Sequence, residues 1–155
     1  LIPGQHRGGA IDALDFQHRN RRPPRDPVNA LLSFAYSLLA RDLTIACHVV
    51  GFDPFIGFYH QLRFGRPALA LDLMEGFRPL IADSTVLSAI NTRMVTASDF
   101  LKTGSAVALT QRGRTAFLRA YEQRMDQLLE KIHREGMASL SRGEREFLKR
   151  VSSRR

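Results

Sequence analysis

The stretch from Asp26 to Gly51 constrains the fold more than any other part of the chain. Asp26 followed by Pro27 is a strong helix start, because the carboxylate accepts otherwise orphaned N–H groups and proline has none to satisfy. Leu31, Phe34, Ala35, Leu38, Leu39, Leu43, Ala46 and Val49 then recur near every 3.6 residues, and Leu32, Ile45 and Val50 widen the stripe. The pattern predicts one long helix buried on more than one side, closed by a left-handed cap at Gly51. An aromatic-rich connector over 52–66 precedes a second helix from about Pro67 to Asn91, with a kink or break at Pro79. Val95, Val107 and Leu109, with Gly104 between them, are compatible with a short two-stranded ribbon. Thr110 caps a third long helix through Phe117, Leu118, Tyr121, Met125, Leu128, Leu129 and Ile132 to Gly136. The fold class expected is therefore mainly α, a multi-helix domain with one short β-ribbon. It divides into a basic, irregular lead-in (1–25), a helical core (26–136) and a basic, partly helical extension (137–155), the last carrying Leu140, Phe147, Leu148 and Val151. Leu14 and Phe16 are candidates to pin the lead-in to the body.

At 155 residues and 44% hydrophobic, the chain can bury a real core, which excludes collagen-like and wholly disordered classes. No run approaches eighteen uninterrupted apolar residues, so no membrane-spanning segment is expected. Lys and Arg number 23 against 15 Asp and Glu, a formal +8 with pI near 10.7. A surplus of that size points to an anionic partner such as nucleic acid, or serves solubility alone. Cys47 stands alone, so no disulfide framework or thiolate metal site is expected, and a reducing cytoplasm is the natural home. The chain begins at Leu1 without a signal-peptide pattern and reads as an internal piece of a longer protein.

The chemistry lies in the second helix. Leu69, Leu73, Phe77 and Leu80 fall in one apolar sector of the helical wheel, and Ala70, Leu71 and Met74 cover most of the remainder. Asp72, Glu75 and Arg78 stand three apart on the same helix. A carboxylate on a largely buried helix must be paired or bound to a metal. Two readings stay open: a structural network neutralised by Arg78 and Arg66, or a metal site. His60, twelve residues before Asp72, lies within folding-back distance. One imidazole with carboxylates is a mixed N/O donor set that suits Mg²⁺ or Mn²⁺ and is poor for closed structural zinc.

Three segments carry a specific likeness: Arg22–Leu39 (RPPRDPVNALLSFAYSLL), Gly51–His60 (GFDPFIGFYH) and Gly65–Pro79 (GRPALALDLMEGFRP). In this order and spacing they closely resemble the CRISPR adaptation integrase family, the CRISPR-associated endonucleases that insert new spacers. The resemblance extends over about residues 16–130. It implies the α-helical C-terminal catalytic domain of a protein that also has a small N-terminal β-domain. It implies a divalent cation, Mg²⁺ or Mn²⁺, held by a glutamate, a histidine and a second acid. The histidine matches His60 and the second acid matches Glu75, with Asp72 an additional catalytic acid close by. Arg78 matches a basic residue that approaches DNA phosphate, and Arg66 takes the same role by position. The implied partners are DNA (protospacer and CRISPR repeat), a second copy in a homodimer and a small second adaptation protein, in a prokaryotic cytoplasm.

The departures matter. No glutamate precedes Glu75, so the family's first metal-binding glutamate has no counterpart here, and the β-domain has none either. Gly76 stands where relatives often carry another acid, and the stretch after about 136 matches nothing in the family. The expectation is a C-terminal part with weak or no activity alone, in which Arg19–Arg25, Arg142, Lys149 and Arg150 contact backbone phosphate. Against it stand a non-catalytic, basic helical domain that binds nucleic acid, and a protein-interaction module.

Overall fold

Asp26 begins the first helix as expected. In the computed structural model, which describes residues 18–20 and 22–136, its carboxylate accepts the Asn29 N–H at 2.8 Å. Helix α1 (Pro27–Val49) follows, and Gly51 at φ +84° turns the chain out of it. Next come α2 (Ala68–Phe77), a π-helical turn (Arg78–Asp83) and α3 (Ser84–Asn91). A 3₁₀ turn (Ala97–Asp99) leads into the hairpin of β1 (Phe100–Thr103) and β2 (Ala106–Leu109), then α4 (Gln111–Glu135). The strands pair antiparallel, Phe100 opposite Leu109 and Thr103 opposite Ala106. The chain is thus mainly α-helical with one two-stranded ribbon. Val95 is not part of that ribbon: it is a buried loop residue.

Helix α1 is the centre, packed against α2, the π turn, α3 and β2. Its Phe34 ring meets Phe117 of α4, centroids 5.9 Å apart, and the Tyr121 hydroxyl of α4 donates to Asp42 at 3.0 Å. These contacts account for a composition that also passes for a membrane-crossing helix, with mean hydropathy 1.4 over its most apolar eighteen residues. No uninterrupted apolar run in it approaches eighteen residues, because Asn29, Ser33, Ser37, Arg41-Asp42 and Thr44 break it up.

Pro79 produces the expected interruption as a π turn. A proline has no N–H for the helical ladder, and the widened turn leaves carbonyls for side chains to satisfy. Leu80 O accepts from Ser84 Oγ at 2.6 Å and from Arg124 Nε of α4 at 3.0 Å. The start of α4 is tied down separately: Asp99 accepts from the Thr96 amide and from Arg112 Nε at 2.7 Å.

The described part of the lead-in is docked. Asn29, fully buried in the first turn of α1, donates to His18 O at 2.8 Å, and its Oδ1 accepts from Arg19 at 2.6 Å and from the Asn20 amide at 3.0 Å. The expectations for Leu14, Phe16, the 137–155 extension, Arg142, Lys149 and Arg150 lie outside the described residues.

Candidate active site

The wheel placed Leu69, Leu73, Phe77 and Leu80 in one apolar sector of a largely buried helix, and of these Leu80, in the π turn, is buried. Along α2 itself the structure buries Ala68, Ala70, Asp72, Met74 and Gly76 and leaves Leu73 exposed. The reason is the loop over 52–66, which lies on the small side chains of the first turns. Gly57 makes this approach possible: a Cβ there would stand 2.7 Å from both Ala68 Cβ and Asp72 Oδ2. Pro54 is buried beneath, its carbonyl accepting from the Leu69 amide at 2.9 Å.

Asp72, whose side chain is fully enclosed, is the anchor. Its Oδ2 accepts the amides of Phe58 at 2.7 Å and Tyr59 at 3.0 Å. Its Oδ1 accepts the amide of His60 at 3.0 Å and faces His60 Nδ1 at 2.6 Å. An ionised carboxylate has no proton to give, so Nδ1 is the protonated nitrogen. In the neutral ring the lone pair then sits on Nε2, on a side chain that keeps a quarter of its exposure (26%). Carboxylates that fix a histidine in this tautomer are the usual outer partners of metal-binding imidazoles.

Burial pushes the Asp72 carboxyl up, but the Tyr59 amide, the His60 ring and the Phe58 and His60 amides outweigh it, leaving the group below its ordinary 3.8. A carboxyl held below its unfolded value adds stability that is complete above that value and lost as pH falls through the folded one. Asp99 is depressed in the same way by Thr96 and Arg112, against the opposing effect of burial. Acid unfolding followed by circular dichroism is therefore expected to begin below about pH 4 and to be less steep in an Asp72→Asn variant.

One turn beyond Asp72, Glu75 Oε2 accepts from Arg78 at 3.1 Å. The Arg78 guanidinium lies over the Tyr36 ring of α1, 4.8 Å from its centroid, and Arg19 lies 5.4 Å from the same centroid. The Tyr36 hydroxyl donates to Asp83 Oδ1 at 2.7 Å; burial and that carboxylate push the phenol up to about 12. Glu75 keeps 44% of its side-chain exposure and Arg78 24%, and the buried Arg78 Nε has no partner among the described residues.

The spacing of three that sets Asp72, Glu75 and Arg78 on one helix brings Glu75 and Arg78 together, while Asp72 turns to the loop. Asp72, expected as an additional catalytic acid, commits both oxygens to the loop of His60. Glu75, not Asp72, is the acid that Arg78 meets. Arg66 ends the loop just before α2, its amide bonded to Arg63 O at 3.0 Å. No three His, Cys, Asp or Glu side chains converge closely enough to hold a metal among the described residues. Tyr36 and Asp83 were missed, and Arg19, expected to contact backbone phosphate, lies over Tyr36 and bonds Asn29. A tyrosine on the apolar stripe of α1 was the available signal, since a buried hydroxyl needs a partner.

The family model described as "CRISPR associated protein Cas1" matches residues 7–123. The chain belongs to the Cas1 family. It is 58% identical over 123 residues to a CRISPR-associated exonuclease Cas4/endonuclease Cas1 fusion of Geobacter sulfurreducens, covering 78% of this chain and 22% of that protein. Among solved structures it resembles a Cas1 protein from Thermotoga maritima, with TM-score 0.68 and 34% identity over 71% of this chain and 36% of that one. It also resembles a casposase bound to integration product, with TM-score 0.67 and 28% identity over 72% of this chain and 34% of that one. The chain thus spans about a fifth to a third of the length of these relatives. Residues 119–154 match a second model, a family of unknown function (DUF6576), so the C-terminal stretch is not without relatives. The Cas1 match contains every residue of the two clusters, from Arg19 to Arg78 and Asp83.

Proposed function

We propose that this chain is the catalytic region of a Cas1 integrase, acting on DNA with a divalent cation of the Mg²⁺ or Mn²⁺ class. The observation that carries the reading is the Asp72–His60 pair one helical turn from Glu75. His60 Nε2 and the half-exposed Glu75 carboxylate are a nitrogen and an oxygen donor of the kind such cations accept, and Asp72 fixes the ring as outer partners of metal-binding histidines do. When bound, the cation supplies charge neutralisation at a phosphate and a lowered pKa for an attacking hydroxyl.

The chain's own residues do the rest. Asp72 is a positioning residue: it holds the Nδ1 proton and keeps Nε2 a lone-pair donor. Arg78 steadies Glu75 on one side, and its planar fork, held over Tyr36, presents further N–H groups to phosphate. Arg66 adds charge at the start of α2. The name of the casposase relative supports DNA as the substrate; a protospacer, a CRISPR repeat, a second copy and a small second adaptation protein belong to the same reading, in a prokaryotic cytoplasm.

Two donors are a weak set for such a cation, so residues 1–155 alone are expected to cleave poorly. The test is Mn²⁺-dependent DNA cleavage by this chain against a chimera preceded by the upstream region of the Geobacter sulfurreducens relative. The chimera is expected to be faster by about tenfold or more, in line with outer-partner effects on such sites. Equal rates would contradict the assignment of His60 and Glu75 as an incomplete ligand set.

A further inference from the structure

We propose that Tyr36 is a positioning residue for the cation site: its ring sets the guanidinium of Arg78, which in turn sets the Glu75 carboxylate. The inference rests on the reading of His60 and Glu75 as donors. Tyr36 is partly buried on α1 and meets the π turn at both of its ends. Its ring centroid lies 4.8 Å from the guanidinium of Arg78, the first residue of the turn. Its hydroxyl donates at 2.7 Å to Oδ1 of Asp83, the last residue. A π turn inserts an extra residue into the helical ladder, a device frequent at functional sites. One side chain that grips such a turn at both ends fixes where its first residue, Arg78, is aimed. Arg19, bonded to Asn29 at 2.6 Å, comes within 5.4 Å of the same centroid and holds the ring from the lead-in.

Arg78 needs this support because its pair with Glu75 cannot order itself. The two side chains are part-exposed and three residues apart, a pair whose gain barely covers the rotamer freedom that two long side chains give up. A planar guanidinium laid over an aromatic ring is ordered beforehand, so less freedom is lost per hydrogen bond formed. Glu75 meets Arg78 through Oε2 at 3.1 Å, which leaves Oε1 to face a cation. An apolar side chain would join α1 to the turn equally well. A hydroxyl tied to a carboxylate, on a ring shared by two arginines, serves orientation instead. Burial and the Asp83 carboxylate push the phenol up to about 12, so the hydroxyl keeps its proton and goes on donating to Asp83. Tyr36 therefore acts through Arg78 rather than by exchanging protons itself.

The test titrates Mn²⁺ into the isotope-labelled 155-residue chain and reads binding from paramagnetic broadening of the amides of residues 58–60 and 75, with no cleavage step. Tyr36→Leu, which removes the ring, is expected to weaken Mn²⁺ binding about tenfold or more, as loss of an outer partner does. Tyr36→Phe keeps the ring and is expected to stay within about threefold of the parent. In an Arg78→Gln background, Tyr36→Leu is expected to add nothing, because the ring acts through that arginine. Arg78→Lys keeps the charge without the planar fork and is expected to match Tyr36→Leu; it decides the question where Tyr36→Leu fails to fold. Three results overturn the positioning role while leaving His60 and Glu75 as donors: parental affinity in Tyr36→Leu or Arg78→Lys, a Tyr36→Phe as weak as Tyr36→Leu, or losses that add to those of Arg78→Gln. A parent whose amides are not broadened at those positions overturns the donor reading itself, and the role of Tyr36 with it.

Discussion

Asp72→Asn is expected to lower stability by about 2–4 kcal/mol, because a carboxamide turns one of its two accepting oxygens into a donor. Each Asp72 oxygen serves two donors: Oδ2 the amides of Phe58 and Tyr59, and Oδ1 the amide and ring of His60. An NH₂ in place of Oδ2 leaves the Phe58 and Tyr59 amides facing a donor, whereas one in place of Oδ1 strands the His60 amide and forces the ring into its other tautomer, at about 1–3 kcal/mol for each stranded N–H, partly offset where the loop swings toward water. The damage should be local. Hydrogen exchange is expected to show lost protection of the amides of residues 58–60 while those in α1 and α4 keep theirs. Urea unfolding gives the total. Intact protection at 58–60 in the variant would mean that Gly57 and Pro54, not the carboxylate, hold the loop.

The two long helices were legible because their signals are local. Asp26-Pro27 and Gly51 bracket α1, and Thr110 and Gly136 bracket α4; a cap needs only its own helix to act. Pro79 was legible as a break, but not as a π turn, because that outcome depends on Arg124 arriving from α4 to serve the Leu80 carbonyl. The same limit explains Asp72. Its principal partners are backbone amides, which have no signature in sequence, so it reads as an acid for an arginine or a metal when the loop amides and His60 hold it. Gly57 was the one local hint, since only a residue without Cβ fits against Ala68 there. Arg78 was assigned toward DNA from the family likeness, but its stacking on Tyr36 joins α1 to the π turn and no periodicity records it. The wheel marked α2 as apolar nearly all round but could not say which side the loop would cover, which is the side of Ala68, Ala70, Asp72, Met74 and Gly76.

His60→Ala is expected to abolish metal-dependent cleavage by the chimera, with a loss exceeding the about 10- to 100-fold expected for Asp72→Asn, the outer partner. Its stability cost should be smaller than that of Asp72→Asn. Removing the ring deletes one hydrogen bond to the carboxylate, worth about 1–2 kcal/mol, and leaves all three loop amides satisfied. Glu75→Gln should separate the two quantities further. Its pair with Arg78 is part-exposed and three residues apart, a geometry worth only about 0.3–0.5 kcal/mol, so the fold should barely notice while cleavage falls as for His60→Ala. A purely structural network predicts the opposite ordering, with activity falling only as far as each variant unfolds. Cleavage rates and urea midpoints for the three variants decide between them: a line through all three supports a scaffold. Glu75→Gln and His60→Ala lying far below that line, with Asp72→Asn displaced along both axes, support two donors and one residue that aims them.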